Sequence, residues 1–260
     1  NGIRGDDSFG PTLLGKNMGL IKVGYFRALK GGDQWADWFG NLEVTPPFKG
    51  YPLGRVYYGV NSSTSVGLHP SIVDFFEAQK AQKPFFIETG FLTIKHVDEI
   101  VSFVTSNNGK PYMSIVSTAL AMKLLSARKK QNDPDKRKII KLNAYNKRIQ
   151  LILNNVKDKF FENTTFKASD IIELPILYNA GHNIWSNPIN SIYLNGSIVT
   201  GDSYLPEIIR KNITNTFSSI GLKTYYVRDK VYQDKYGNVH CSSNTKKIPL
   251  VKDYSPIIWK

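Results

Sequence analysis

Apolar and polar positions along the chain fall into repeated cycles of two spacings. "RVYYGV" (55–60) is a short run of aromatic and β-branched residues that predicts a strand. "SIVDFFEAQKAQ" (71–82) has its apolar residues at helical spacing, with Ser71 as the expected N-cap, and "PFFIETGFL" (84–92) returns to strand character. A second cycle starts with the strand-like "PYMSIVS" (111–117). Leu142, Tyr145, Ile149, Ile152, Val156 and Phe160 then follow at spacings of three and four, a helical stripe, before the strand "DIIELPIL". A third cycle runs through "NSIYLNGSIVT" (190–200), where Asn195-Gly196 predicts a two-residue hairpin turn, then a helix over "LPEIIRKNITNTFSSI" and a strand at "LKTYYVR". The cycles share no sequence identity. Together they predict a single α/β domain over residues 1–260, an array of similar strand–helix–strand modules with extra hairpins.

Composition agrees with that picture. In 260 residues, 41% hydrophobic and 12% aromatic content supplies one sizeable core. No window approaches the apolar length of a membrane span, so no membrane partner is expected. The single cysteine excludes an internal disulfide framework and a Cys-rich zinc cluster. "NGIRGDDSFG" has no initiator Met, basic head or apolar run, so the expectation is a piece of a longer chain with its upstream portion missing. A cytoplasmic location is expected. Secretion is the alternative, through the sequons at Asn61, Asn163, Asn195 and Asn212.

The net charge of +13 suggests a nucleic-acid partner until it is located. Residues 121–148 hold ten Lys or Arg against two Asp, so +8 of the +13 is confined to this stretch. No aromatic stacking pattern or nucleic-acid motif accompanies the run, and it reads as a pair of solvated helix faces around a loop at "QNDPD".

Two stretches carry candidate chemistry. In "TIKHVDEIVSFV" (93–104), an extended "IKHVD" would project His96 and Asp98 from one face, as an acid/base and cation-binding pair or as a solvent-facing polar pair. "NVHCSSN" (238–244) holds the only cysteine, Cys241, which is either a small apolar residue or a nucleophile activated by a histidine. If "NVHC" is extended, His240 faces away from its neighbour and His96 is the better partner. A zinc site of His96, His240 and Cys241 has no usual ligand spacing.

"GYFRALKGG", "WFGNLEVTPPFKGYPLGRVYYG", "KHVDEIVSFV", "ASDIIELPIL" and "YGNVHCSSN", in this order from about Gly24 to Lys260, resemble the catalytic domain of the protein-arginine deiminases. The resemblance implies a pentein fold, a pseudo-fivefold α/β propeller of ββαβ modules with its first module incomplete here. It implies calcium-dependent hydrolysis of peptidyl-arginine to peptidyl-citrulline and ammonia, with Cys241 as nucleophile, His96 as general acid and base, and Asp98 as a guanidinium-binding carboxylate. Protein substrates with an accessible arginine are the implied partners. Arg4 matches a position that engages the substrate backbone, and the calcium ligands implied are the carbonyls of Phe39 and Leu42 with the carboxylate of Glu43. Read without the family, Glu43 is a strand-end acid before "TPP". A second guanidinium carboxylate, further calcium ligands and a tryptophan of the substrate wall belong to a block upstream of Arg4, which this sequence does not contain, and Lys235 stands where the family has an arginine. Lys lacks the planar fork of Arg. Two other functions stay open: deimination of free arginine or agmatine, and an interaction module working through 121–148.

Overall fold

The computed structural model describes Thr12 and residues 35–80, 82–127 and 134–243, without the side chains of 134–141. Three modules of one kind follow each other. In the first, β1 (Leu42–Val44) runs antiparallel to β2 (Val56–Val60), α1 (Pro70–Ala78) crosses over, and β3 (Phe85–Glu88) returns parallel to β2. The second has β4 (Val101–Thr105), β5 (Pro111–Ser117), the crossover helices α2 (Thr118–Ser126) and α3 (Pro134–Asn163), and β6 (Ile171–Pro175) parallel to β5. A short hairpin, β7 (Tyr178–Asn179) with β8 (His182–Asn183), leads to the third: β9 (Ile192–Leu194), β10 (Ser197–Gly201), α4 (Glu207–Ser219) and β11 (Lys223–Val227). Each module is a three-stranded sheet with its second strand in the middle. A parallel neighbour requires a crossover helix, which is why the apolar period switches from two to 3.6 once per cycle. The ββαβ pattern expected of the fold thus recurs three times among the described residues.

Local chemistry accounts for the elements. Asn195 (φ 47°) and Gly196 (φ 74°) both lie in the left-handed region, as a two-residue type I′ turn between β9 and β10 demands. β5 does not alternate: Met113, Ser114, Ile115, Val116 and Ser117 are all buried because both faces of this middle strand are covered. On α3 the buried row is Asn146, Ile149, Leu153, Val156 and Phe160, so Leu153 rather than Ile152 faces the core. Asn146 is tolerated there because its amide donates to the Tyr178 carbonyl (2.9 Å) and accepts the Tyr178 N–H (2.9 Å).

Three expectations shift. Pro70 occupies the first helical turn and moves the start of α1 forward, so His69 is the cap and accepts the Ser71 N–H (3.3 Å). β3 stops at Glu88, whose carboxylate takes the Gly90 N–H (2.6 Å) and turns the chain. Ser117 caps a separate α2 by accepting the Leu120 N–H, so two helices fill the second crossover. The "QNDPD" loop and much of the basic run fall outside the described residues and side chains; Lys123, Lys147 and Arg148 are exposed.

Phe160 anchors the seam between the first two modules, with its ring edge-on to Tyr57 (5.0 Å), Phe85 (5.2 Å) and Phe103 (5.9 Å). Phe160→Ala is expected to lower the unfolding free energy by about 3–5 kcal/mol, read by urea unfolding. Leu151→Ala, 65% exposed on the same helix, is expected to change it by less than about 0.5 kcal/mol.

Candidate active site

The chain enters β1 through two 3-10 turns, Trp35–Asp37 and then Phe39–Asn41 within "WFGNLE" (38–43). The fully buried Asn41 ties this segment to β2: its amide donates to the carbonyls of Ala36 and Gly59 (3.0 Å each) and accepts the Gly59 N–H (2.9 Å). That grip sets Gly40 against the next module. A Cβ at Gly40 would lie 2.5 Å from His96 Nδ1 and 3.2 and 3.3 Å from the two carboxylate oxygens of Asp98.

"IKHVD" is not the expected strand. His96 is extended, but Val97–Glu99 forms a 3-10 turn and β4 begins only at Val101. His96 and Asp98 still converge, because the turn wraps both around Gly40. The His96 N–H donates to Glu99 Oε1 (3.2 Å), and its ring pairs through Nε2 with the Trp35 carbonyl (3.1 Å), edge-on to Trp38 (5.7 Å). Asp98 is 4% exposed. Its Oδ2 meets Asn190 Nδ2 (3.0 Å), His240 Nδ1 (2.9 Å) and Cys241 Sγ (3.6 Å). Asp98 Oδ1 is buried without a hydrogen-bond partner among the described residues, an uncommon condition for a carboxylate oxygen.

"NVHC" is not extended either. The Ser242 N–H bonds to the Asn238 and Val239 carbonyls, and the Ser243 N–H to the His240 carbonyl. In this turn neighbouring side chains need not face opposite ways, so the alternation that would have turned His240 away does not apply. His240 and Cys241 both contact Asp98, and His240 Nε2 is 3.6 Å from Glu43 Oε1. Cys241 keeps solvent access as a residue, but burial of its sulfur and then the charge of Asp98 push the thiol up to about 12, against smaller opposing hydrogen bonds from Asn238 and Asn190.

The clamp between the two turns is a segment that sequence reading passed over, "SNPIN" (186–190). Asn187 donates to the Glu99 carbonyl (2.8 Å), and its N–H reaches Asn238 Oδ1 (3.1 Å). Asn190 donates from Nδ2 to Asp98 and to Cys241 Sγ (3.1 Å), accepts the Cys241 N–H at Oδ1 (3.1 Å), and accepts the His240 N–H at its carbonyl (3.2 Å). Behind it, the buried Asp229 carboxylate accepts from Ser186 Oγ (2.6 Å), Ser203 Oγ (2.7 Å) and Asn238 Nδ2 (2.7 Å). Both asparagines are buried, and buried polar residues carry no spacing signal. The only hint is two amides bracketing "PI" in an otherwise apolar stretch.

Glu43 faces the site from β1, and with the Phe39 and Leu42 carbonyls it offers oxygen donors of the kind a hard cation takes. The Phe39 carbonyl also accepts the Leu42 N–H. Three oxygens of this kind would be part of a calcium shell of six to eight; among the described residues no three His, Cys, Asp or Glu side chains cluster as a metal site. Arg4 lies outside the described residues, and Lys235 is exposed in the turn before Cys241.

Glu99 is buried beside Asp98. Burial, then the charge of Asp98, holds its carboxyl well above the ordinary 4.5, with the His96 N–H and Lys95 acting the other way. A folded-state value above the unfolded one gives stability that is complete below about pH 4.5 and lost as pH rises through the folded value. Glu99→Gln, which keeps the oxygen acceptor, is expected to flatten that loss. Thermal unfolding of both forms at several pH values checks it: the Gln variant gains on the native chain as pH rises.

The sequence model of the family described as Protein-arginine deiminase (PAD) matches residues 11–143. Human protein-arginine deiminase type-4 is 26% identical over 276 residues and human type-3 is 29% identical over 280, each alignment covering 92% of this chain and 41% of the relative. The chain therefore spans about two-fifths of the length of these curated relatives. Among solved structures, the agmatine deiminase of C. jejuni has a TM-score of 0.46 at 15% identity, covering 78% of this chain and 53% of that one. The chain belongs to the protein-arginine deiminase family.

Proposed function

We propose that this chain carries the nucleophile and one guanidinium-binding carboxylate of a peptidyl-arginine deiminase. One observation carries the reading: buried Asp98 presents an unpartnered oxygen while its other oxygen lies 3.6 Å from the Cys241 sulfur. A guanidinium stays protonated and is planar, and it binds a carboxylate through paired N–H donors. A cation seated on Asp98 would offset the negative charge that disfavours the thiolate, so substrate binding itself favours ionisation of Cys241.

In this reading the Cys241 thiolate forms a C–S bond to the guanidinium carbon. One C–N bond then breaks as His96 delivers a proton, and the nitrogen leaves as ammonia. His96 next takes a proton from water, the water oxygen attacks the same carbon, and the C–S bond breaks. The remaining hydroxyl proton passes to solvent, citrulline is released and the thiolate is restored. Glu43 with the Phe39 and Leu42 carbonyls would hold part of a calcium shell; the bound ion supplies positive charge next to the carboxylates. His240, which touches both Glu43 and Asp98, helps hold Asp98 when no guanidinium is present.

Citrulline formation by the full-length protein on an arginine-containing substrate tests the proposal. Cys241→Ser and His96→Asn are each expected to cost at least about a hundredfold, with a smaller loss for His240→Asn. A larger loss at His240 would transfer the acid/base role to it. Chelation of calcium is expected to abolish turnover and its return to restore it. Calcium-independent turnover of free arginine or agmatine would overturn the protein-directed reading.

A further inference from the structure

We infer that Asn190 is the protein side chain that eases ionisation of Cys241 beside Asp98 before a substrate cation arrives, by giving one side-chain N–H to each. This rests on the reading of Cys241 as the nucleophile. The difficulty it resolves is electrostatic. Ionised Cys241 and Asp98 would place two negative charges at a 3.6 Å contact beside a carboxylate that is 4% exposed, where water screens poorly. As a thiol, Cys241 can donate S–H to Asp98 Oδ2; as a thiolate it loses that bond and gains a repulsion.

The Asn190 amide, 1% exposed, lies between them, with Nδ2 3.0 Å from Asp98 Oδ2 and 3.1 Å from Cys241 Sγ. An amide nitrogen has two hydrogens, so both acceptors are served at once. Its orientation is set by chemistry: Oδ1 accepts the Cys241 N–H (3.1 Å), and a flipped amide would turn an oxygen to the carboxylate and a donor to a donor. The same side chain therefore fixes both the backbone and the sulfur of Cys241. Its carbonyl holds the His240 N–H (3.2 Å), so the turn carrying the thiol is docked on Asn190 at three points.

The test is the pH dependence of iodoacetamide alkylation at Cys241, followed on its own peptide by mass spectrometry, because the rate tracks the thiolate fraction. Asn190→Ala is expected to move the profile upward by about one to two pH units, the worth of a hydrogen bond to a charged group. Asn190→Asp, nearly isosteric and still able to accept the Cys241 N–H, is expected to move it further, since a donor becomes a third negative charge. It decides the matter if the alanine variant does not fold. A profile unmoved in a folded variant, checked by its unfolding midpoint, overturns the inference. Failure of the underlying reading shows separately, as citrulline formation by the full-length protein that survives Cys241→Ser.

Discussion

A carboxylate taken almost wholly out of water is stable only where donors reach it, and Asp98 sets that condition for the whole site. One of its oxygens collects an asparagine amide, an imidazole and a thiol, each from a different distance along the chain: Asn190 lies 92 residues away, His240 142 and Cys241 143. The other oxygen has no partner among the described residues, and under the proposed function it is where a substrate cation would have most to offer. Stability and chemistry pull the same group in opposite directions there. Full satisfaction of Asp98 by the protein would stabilise the fold and close the site.

The second buried carboxylate, Asp229, resolves the same problem completely. Hydroxyls from Ser186 and Ser203 and an amide from Asn238 surround it, and no substrate is asked to contribute. Asn238 then carries its influence to the thiol turn, through its bond with the Asn187 N–H and its carbonyl's bond with Ser242. The two buried acids thus differ: Asp229 is saturated and holds the frame, while Asp98 keeps one oxygen unpartnered among the described residues.

What could be read in advance followed from periodicity. Strands and helices of each cycle are legible because middle strands are short runs rich in β-branched and aromatic residues and helices keep a single buried stripe, and Asn195-Gly196 demands a tight turn. His96, Asp98 and Cys241 stand out as candidate chemistry by residue type, but the roles proposed for them come only through resemblance of whole blocks. The parity rule invoked for them assumed extended backbone, and both motifs turned out to be tight turns where parity has no meaning. The expectation that His240 turns away from its neighbour fails for that reason, and its ring meets Asp98. Asn187 and Asn190 were invisible because a buried amide is defined by what lies across the interface, and no local pattern in "SNPIN" records that Glu99 or Cys241 is opposite. His69 displaced Ser71 as a cap through the proline between them.

The segments that build the site are the approaches to each module's first strand, 35–41 before β1, 96–99 before β4 and 186–190 before β9, joined by the turn that follows β11. No sheet hydrogen bonds link the three modules among the described residues. Each module can acquire its local structure from contacts near in sequence, but the thiol meets its carboxylate only when the whole array has closed. Contact between Cys241 and Asp98 is therefore a late reporter of folding in such an architecture. A partly assembled molecule would have nearly native secondary structure without that contact, and loosening a junction between modules would separate the two groups before it melted a sheet.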